Sequence, residues 1–480
     1  MSVRTRFAPS PTGYLHIGSV RTALYCWLFA RRHGGEFLLR IEDTDRERST
    51  QPAIDAIHEA MAWLGLEADQ EPVYQTARFD RYRERIDELL ELGRAYRCYC
   101  TSDEIDAMRA EAQTRGEKPR YDGRCRERAE PRAGIDPVVR FKSPLDGTVV
   151  VDDAIKGQVE FDNTELDDLI IARSDGTPTY NFVVVVDDID MAITHVVRGD
   201  DHLNNTPRQI NLYRAFDHEP PIFAHLPMIH GPDGAKLSKR HGAVNVLEYR
   251  GMGFFPEALL NYLLRLGFAD GDKEIFTIDE MIAVFDLGEV SRSASRFDPA
   301  KLLWVNHQHM QMAPTVALVP LLAEQLEIQG LDPGNGPPLS LAVEALRERS
   351  QTTLEMAERA HCYYEDYEAF DEKSAKDHLR PVAGDALVAL RDALAGVADW
   401  SEAATEAAVA GVAESLDVKL GKVAQPLRVA LTGRAASPGI GTTLLLVGRE
   451  RALARIDWAL AFIDERAAAT TGGMNHGETE

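Results

Sequence analysis

The chain has 480 residues, 44% of them hydrophobic, and a formal net charge of −24 at pH 7. That length suits about three domains of roughly 150 residues and excludes a single small one. The acidity argues against non-specific coating of nucleic acid, which rests on phosphate neutralisation. It leaves room for a specific RNA partner, because only charge within about 10 Å is felt.

The first elements read as strand, loop, helix, strand over residues 3–8, 9–18, 19–33 and 36–42, a βαβ opening. Val20, Ala23, Leu24, Trp27 and Leu28 recur on one helical face, and Gly34 and Gly35 end the helix. The longest apolar run, residues 23–30, falls well short of the roughly 18 a membrane helix needs. The first six residues carry charge where a secretory leader is apolar, so a soluble cytoplasmic protein is expected. Residues 98–151 are rich in Arg, Glu, Asp, Gly and Pro with weak periodicity, which reads as an inserted module. The β-branched run at 181–186 and the apolar run at 193–198 read as strands, followed by a helix at 206–216. Beyond about residue 315 Ala- and Leu-rich helical patterns dominate, as at 342–349 and 451–469, and the polar residues 470–480 are expected to fray. Residues 418–455 hold seven basic side chains (Lys419, Lys422, Arg428, Arg434, Arg449, Arg451, Arg455) against Glu450 alone, either an RNA-facing patch or an ordinary solvated face.

Two segments carry nucleotide chemistry. Ala8-Pro9-Ser10-Pro11-Thr12-Gly13-Tyr14-Leu15-His16-Ile17-Gly18-Ser19 runs from the first strand into a helix N-terminus, whose N–H groups and dipole favour phosphate. His16 can donate to a phosphate oxygen, and Gly18 leaves room for a flat base. Gly231-Pro232-Asp233-Gly234-Ala235-Lys236-Leu237-Ser238-Lys239-Arg240-His241-Gly242 is a glycine-flanked cationic loop able to close over a triphosphate. No G-x-x-x-x-G-K-[ST] sequence is present, which excludes a P-loop enzyme. Of the five cysteines, Cys98, Cys100 and Cys125 cluster, pointing to a structural metal or to reduced buried thiols. Cys26 and Cys362 sit in helical patterns as small core residues.

His16-Ile17-Gly18-Ser19 and Lys236-Leu237-Ser238-Lys239-Arg240 resemble the two signature motifs of the class I aminoacyl-tRNA synthetases. Arg6-Phe7-Ala8-Pro9-Ser10-Pro11-Thr12-Gly13 and Arg40-Ile41-Glu42-Asp43-Thr44-Asp45 are typical of the glutamyl and glutaminyl branch of that class. Tyr180-Asn181-Phe182 and Val197-Arg198-Gly199-Asp200-Asp201-His202 extend the resemblance, and the helical remainder is similar to the anticodon-binding part of bacterial glutamyl enzymes. The resemblance implies a Rossmann-type parallel sheet with an inserted acceptor-binding module, followed by an all-α anticodon-binding region. The corresponding domains are residues 1–95 with 180–225, then 96–179, 226–315, 316–375 and 376–480.

It implies glutamate activation with ATP and Mg2+ and transfer to tRNA(Glu), by a cytoplasmic monomer. His16, Lys236 and Lys239 then act in catalysis. Pro9, Thr12, Gly13, His16, Gly18, Ser19, Leu237, Ser238, Lys239 and Arg240 bind ATP. Arg6, Ser10, Glu42, Tyr180 and Arg198 contact L-glutamate, with Glu42 on the ammonium, although Tyr180 could be core and Arg198 could pair with Asp200 or Asp201. Arg349 falls where this family reads the anticodon, or is a surface helix arginine. A structural Zn2+ would take Cys98, Cys100 and Cys125, with Glu127 at the fourth position. A glutaminyl enzyme, a shortened glutamyl-queuosine enzyme, a small-molecule nucleotidylyltransferase and a catalytically silent RNA-binding relative are the alternatives; the helical third opposes the first three and the intact nucleotide segments the last.

Overall fold

The computed structural model describes residues 2–128, 130–235, 237 and 245–473. The chain divides into two compact units, residues 1–249 with 256–305 and residues 250–255 with 306–480.

In the first unit the expected opening forms as β1 (Arg4–Phe7), α1 (Ile17–Arg32) and β2 (Glu36–Ile41). α1 begins two residues earlier than its apolar face implies, because the His16 side chain caps it. Gly35 turns the chain into β2 so close to Val3 that a Cβ would stand 2.2 Å from the Val3 carbonyl oxygen, which only glycine permits. There follow α2 (Gln51–Leu64), β3 (Val73–Tyr74), α3 (Phe79–Glu91), β4 (Ala95–Cys98), α4 (Ser102–Thr114), β5 (Val138–Phe141), β6 (Thr148–Asp153), β7 (Gly157–Asp162) and β8 (Ile170–Ala172). α5 (Tyr180–Asp190), β9 (His195–Gly199), α6 (Thr206–Ala215) and β10 (Ile222–Leu226) complete the α/β part.

Seven strands make one sheet in the order β3-β2-β1-β9-β10-β6-β7, with every neighbouring pair parallel except the β6–β7 hairpin. The chain order reverses at β1, which has β2 on one side and β9 on the other. The crevice beyond the carboxyl ends of strands at such a switch point is where open α/β sheets hold ligands. β4, β5 and β8 form a separate antiparallel sheet, which carries the cysteines on a small core of its own. β6 and β7 leave that module and extend the main sheet through β10.

One expected strand is a helix. Residues 181–186 lie in α5, where Phe182, Val183, Val185 and Val186 are buried in the main core. Each valine sacrifices up to about 0.7 kcal/mol of helix propensity, whereas burying it gains about 1.5–3 kcal/mol, so packing decides. The helix also sets Asp187 and Asp190 on one face, and Arg78 donates to both. A strand would have pointed them to opposite sides.

In the second unit no strand occurs among the described residues. Its helices include Thr315–Ile328, Leu339–Leu346, Thr353–Tyr364, Gly384–Ala395, Glu402–Ser415, Leu420–Thr432, Ile440–Val447 and Arg449–Gly473. The helix expected over 342–349 ends at Leu346, and Arg347–Arg349 turn as a 3-10 helix. The last helix continues through residues 470–473, beyond the expected fraying point. Among the described residues no helix is long and apolar enough to cross a membrane.

Candidate active site

A cavity of about 1650 Å3 opens at the switch point of the main sheet. It exceeds the roughly 300–1,000 Å3 of a usual small-molecule site. Pro9, Ser10, Thr12, Gly13, His16, Gly18 and Ser19 line it from the first loop, Arg6 from β1, Glu42 from beyond β2, Tyr180 from α5 and Arg198 from β9. Leu237 lines it too, whereas Lys236, Ser238, Lys239 and Arg240 lie outside the described residues. The flanks of that segment are fixed beside the cavity: Leu237 N donates to Ile229 O at 3.1 Å, and Val246 N to Leu15 O at 2.8 Å.

The first loop differs in one respect from the expectation that its helix N-terminus offers free N–H groups. His16 Nδ1 accepts from Gly18 N at 3.1 Å and Ser19 N at 3.3 Å. Gly18 makes room for this ring, since a Cβ there would stand 3.0 Å from it. Because Nδ1 accepts from the backbone, the ring proton sits on Nε2. The cap therefore fixes the histidine as a donor through its outer nitrogen.

Of the arginines that line the cavity, Arg6 and Arg198 stand in contrasting states. Arg6 Nε donates to Asp188 Oδ1 at 3.0 Å, and the fully buried Arg40 donates to the same oxygen at 2.5 Å and to Glu42 Oε1 at 3.1 Å. Burial works to lower the Arg6 pKa, but Asp188 outweighs it and the guanidinium is held above its ordinary value. Burial raises the Glu42 carboxyl above the usual range against the pull of Arg40 and Arg6.

Arg198 has no carboxylate partner among the described residues. Its Nε donates to His225 Nε2 at 3.1 Å and its Nη2 to Thr206 Oγ1 at 2.9 Å, while Nη1 has no partner among the described residues. Asp200, considered as its counter-ion, instead accepts from Lys156 at 2.9 Å. Burial lowers the Arg198 pKa, the sign of a desolvated charge without an anion. Tyr180 is 38% exposed and so is not core; its hydroxyl stands 3.1 Å from His202 Nδ1. Ser10 Oγ donates to Glu42 O at 3.2 Å.

In the cysteine module the sulfurs of Cys98, Cys100 and Cys125 lie within 4.8 Å of one another. Glu127 stands apart: its side chain is 90% exposed and accepts from Lys142 Nζ at 3.4 Å. The preceding Arg126 is drawn inward to Asp168, which turns the next residue outward. The Tyr121 hydroxyl occupies the cluster instead, 3.4 Å from Cys98 Sγ and 4.0 Å from Cys100 Sγ, and accepts from Cys125 N at 3.0 Å. Three sulfurs are donors that fit zinc, and the phenol oxygen stands beside them.

In the helical unit the basic stretch is largely engaged internally. Arg428 donates to Ser437, Arg449 to the carbonyl oxygens of Ala395 and Val397, and Arg451 to the Tyr363 carbonyl. Arg455, 4% exposed, donates to Asp366 and to the Leu431 and Glu365 carbonyl oxygens. Arg349 is exposed and has no hydrogen-bond partner among the described residues, whereas Arg347 donates to Ala313 O and Thr315. Cys26 and Cys362 are buried free thiols, as their helical context implies.

Asp188, Arg40, His225, Thr206 and Tyr121 escaped sequence reasoning as site residues. Asp187 and Asp190 at helical spacing could have revealed α5 and, with it, Asp188. Nothing in the sequence signals His225.

The family described as "tRNA synthetases class I (E and Q), catalytic domain" matches residues 2–304, and "Anticodon binding domain" matches residues 316–460. The chain is 58% identical to "Glutamate--tRNA ligase 1" of Alkalilimnicola ehrlichii, over 97% of this chain and 99% of that protein. It is 56% identical to the protein of the same name from Nitrosococcus oceani, over 98% and 100%. A crystal structure of a glutamate tRNA ligase from Elizabethkingia meningosepticum in complex with its amino acid superposes with a TM-score of 0.83 at 32% identity, covering 96% of this chain and all of that one.

Proposed function

The chain belongs to the class I tRNA synthetases of the glutamate and glutamine type, and on that premise we propose a reaction path and residue roles for it as a glutamate–tRNA ligase. It activates L-glutamate with ATP and transfers the glutamyl group to tRNA(Glu). The observation that carries the roles is that Arg6, Arg198 and Glu42 line one cavity. Glutamate presents two carboxylates and one ammonium, the inverse of that set. Arg198, desolvated and without an anion, has the most to gain from a carboxylate, because pairing relieves a buried charge. Glu42 receives the ammonium, and Ser10 and Tyr180 flank the substrate.

In the first step an α-carboxylate oxygen of glutamate attacks the α-phosphorus of ATP, and the bond to pyrophosphate breaks. Catalysis of this kind rests on alignment and charge stabilisation. His16 donates its Nε2 proton to a phosphate oxygen, and Pro9, Thr12, Gly13, Gly18 and Ser19 bed the nucleotide. Lys236, Lys239 and Arg240, with Leu237 and Ser238 between them, oppose the charge on the phosphates, which bring Mg2+ with them. In the second step a terminal ribose hydroxyl of the tRNA attacks the glutamyl carbonyl and AMP leaves. The helical unit receives the anticodon, with Arg349 as a reader of a base edge. The enzyme works in the cytoplasm as a monomer. Zinc bound by Cys98, Cys100, Cys125 and Tyr121 would supply folding energy to the small module.

Aminoacylation with purified tRNA(Glu) and tRNA(Gln), paired with pyrophosphate exchange in the presence and absence of tRNA, tests this reading. Glutamate should be charged to tRNA(Glu), and exchange should require tRNA. Exchange with a substrate other than glutamate, or charging of no tRNA, overturns it.

A further inference from the structure

We propose that Asp153 and His225 are positioning residues that fix how Arg198 is presented to the substrate carboxylate; this rests on the reading of Arg198 given above. Arg198 is a buried cavity cation with no carboxylate partner among the described residues, so its aim must come from neutral acceptors. Its Nε–H points at His225 Nε2, 3.1 Å away. That nitrogen accepts only if the ring proton sits on Nδ1, and Nδ1 lies 2.5 Å from Asp153 Oδ2. Asp153 itself cannot turn. Its Oδ1 accepts from Ile155 N at 3.0 Å, Lys156 N at 2.8 Å and His225 N at 3.2 Å. Both His225 and Asp153 are buried, at 0% and 3% exposure.

The chain of constraint runs in one direction. Three backbone N–H groups fix the carboxylate, the carboxylate fixes the imidazole tautomer, and the tautomer gives Arg198 an acceptor in place of a second donor. A carboxylate in direct contact with Arg198 would neutralise the charge that the substrate needs. Placing it one imidazole away orients the arginine and leaves its charge available. Burial, with Arg198 beside it, keeps the imidazole below its ordinary pKa against the pull of Asp153, consistent with a neutral ring.

Asp153→Asn is the incisive variant. The Ile155 and Lys156 N–H groups, which bind Oδ1 alone, hold the amide oxygen at that position, so the amide NH2 faces His225 Nδ1. The imidazole proton then moves to Nε2 and meets the Arg198 Nε–H donor to donor. In aminoacylation assays KM for glutamate should rise about ten- to a hundredfold, as befits loss of a charge-assisted hydrogen bond, with kcat and KM for ATP within about threefold of wild type. Arg198→Ala tests the underlying reading, and Asp153→Asn added to Arg198→Ala should raise KM for glutamate no further.

If Arg198→Ala raises KM for glutamate selectively but Asp153→Asn leaves it within about twofold, the positioning role is wrong while the reading of Arg198 stands. If Arg198→Ala has no selective effect, both fall. Should Asp153→Asn fail to fold, His225→Leu against His225→Gln decides. Glutamine returns an acceptor near the Nε2 position and should recover part of the glutamate affinity that leucine loses. Equal losses in both, or parallel rises in KM for ATP, would reduce the pair to a packing role and overturn the proposal.

Discussion

The sheet crevice and the helical unit treat arginine in opposite ways. In the crevice Arg198 is buried against a histidine and a threonine, so its charge meets no carboxylate among the described residues. In the helical unit Arg455 is almost as buried, but it closes on Asp366 and two carbonyl oxygens and holds helices together. Guanidinium burial is thus not the mark of a binding site. What distinguishes the two is whether the partners already satisfy the charge, which neither residue type nor local net charge reveals.

The contrast can be broken most forcefully at Lys239, assigned to the phosphates by sequence alone. Lys239→Ala should slow tRNA-dependent pyrophosphate exchange about 10²- to 10³-fold, and exchange within a few-fold of wild type would remove it from the site. Arg198→Ala follows: KM for glutamate should rise on the order of a hundredfold, as for one partner lost from a buried charged pair, and an equal rise for ATP would deny Arg198 its substrate role. Arg455→Ala should do the reverse, lowering stability by about 1–3 kcal/mol through the carbonyl oxygens it leaves unpaired and the melting midpoint by roughly 2–12 °C without altering KM for glutamate. Arg349→Ala, exposed and unpartnered among the described residues, should raise KM for tRNA about tenfold and leave the midpoint unchanged. The smallest effect is expected at Glu127. Purified protein should hold near one zinc per chain, Glu127→Ala should keep it, and Cys125→Ser should lose it; a loss in Glu127→Ala would restore that carboxylate as a ligand.

The opening βαβ unit and the residues that line the cavity were legible because their signals are local. A helix face, a glycine pair and a loop at a strand end lie within a few residues of one another. α5 was misread because four β-branched residues in succession favour a strand locally, and only burial against distant elements reverses the preference. Residues 418–455 are open in sequence to an RNA-facing patch or a solvated face, and neither reading foresees the internal engagement of their arginines, since carbonyl oxygens leave no trace in composition. Tyr121 replaced Glu127 at the thiol cluster because the inward pull of Asp168 on Arg126 depends on a fold 42 residues away. His225 had no readable spacing, because its partners Asp153, Arg198 and Thr206 are each brought to it by a different segment.

His16 closes the first helix with one nitrogen and sets the other, beside the cavity, 3.3 Å from the Ser19 hydroxyl. A position under two obligations tolerates fewer replacements than either would impose alone. Asparagine could serve as the cap and glutamine could reach outward, yet neither reproduces both from a single planar ring. The start of this helix is therefore a place where one ring answers to two constraints, the cap on one side and the contact of its outer nitrogen on the other.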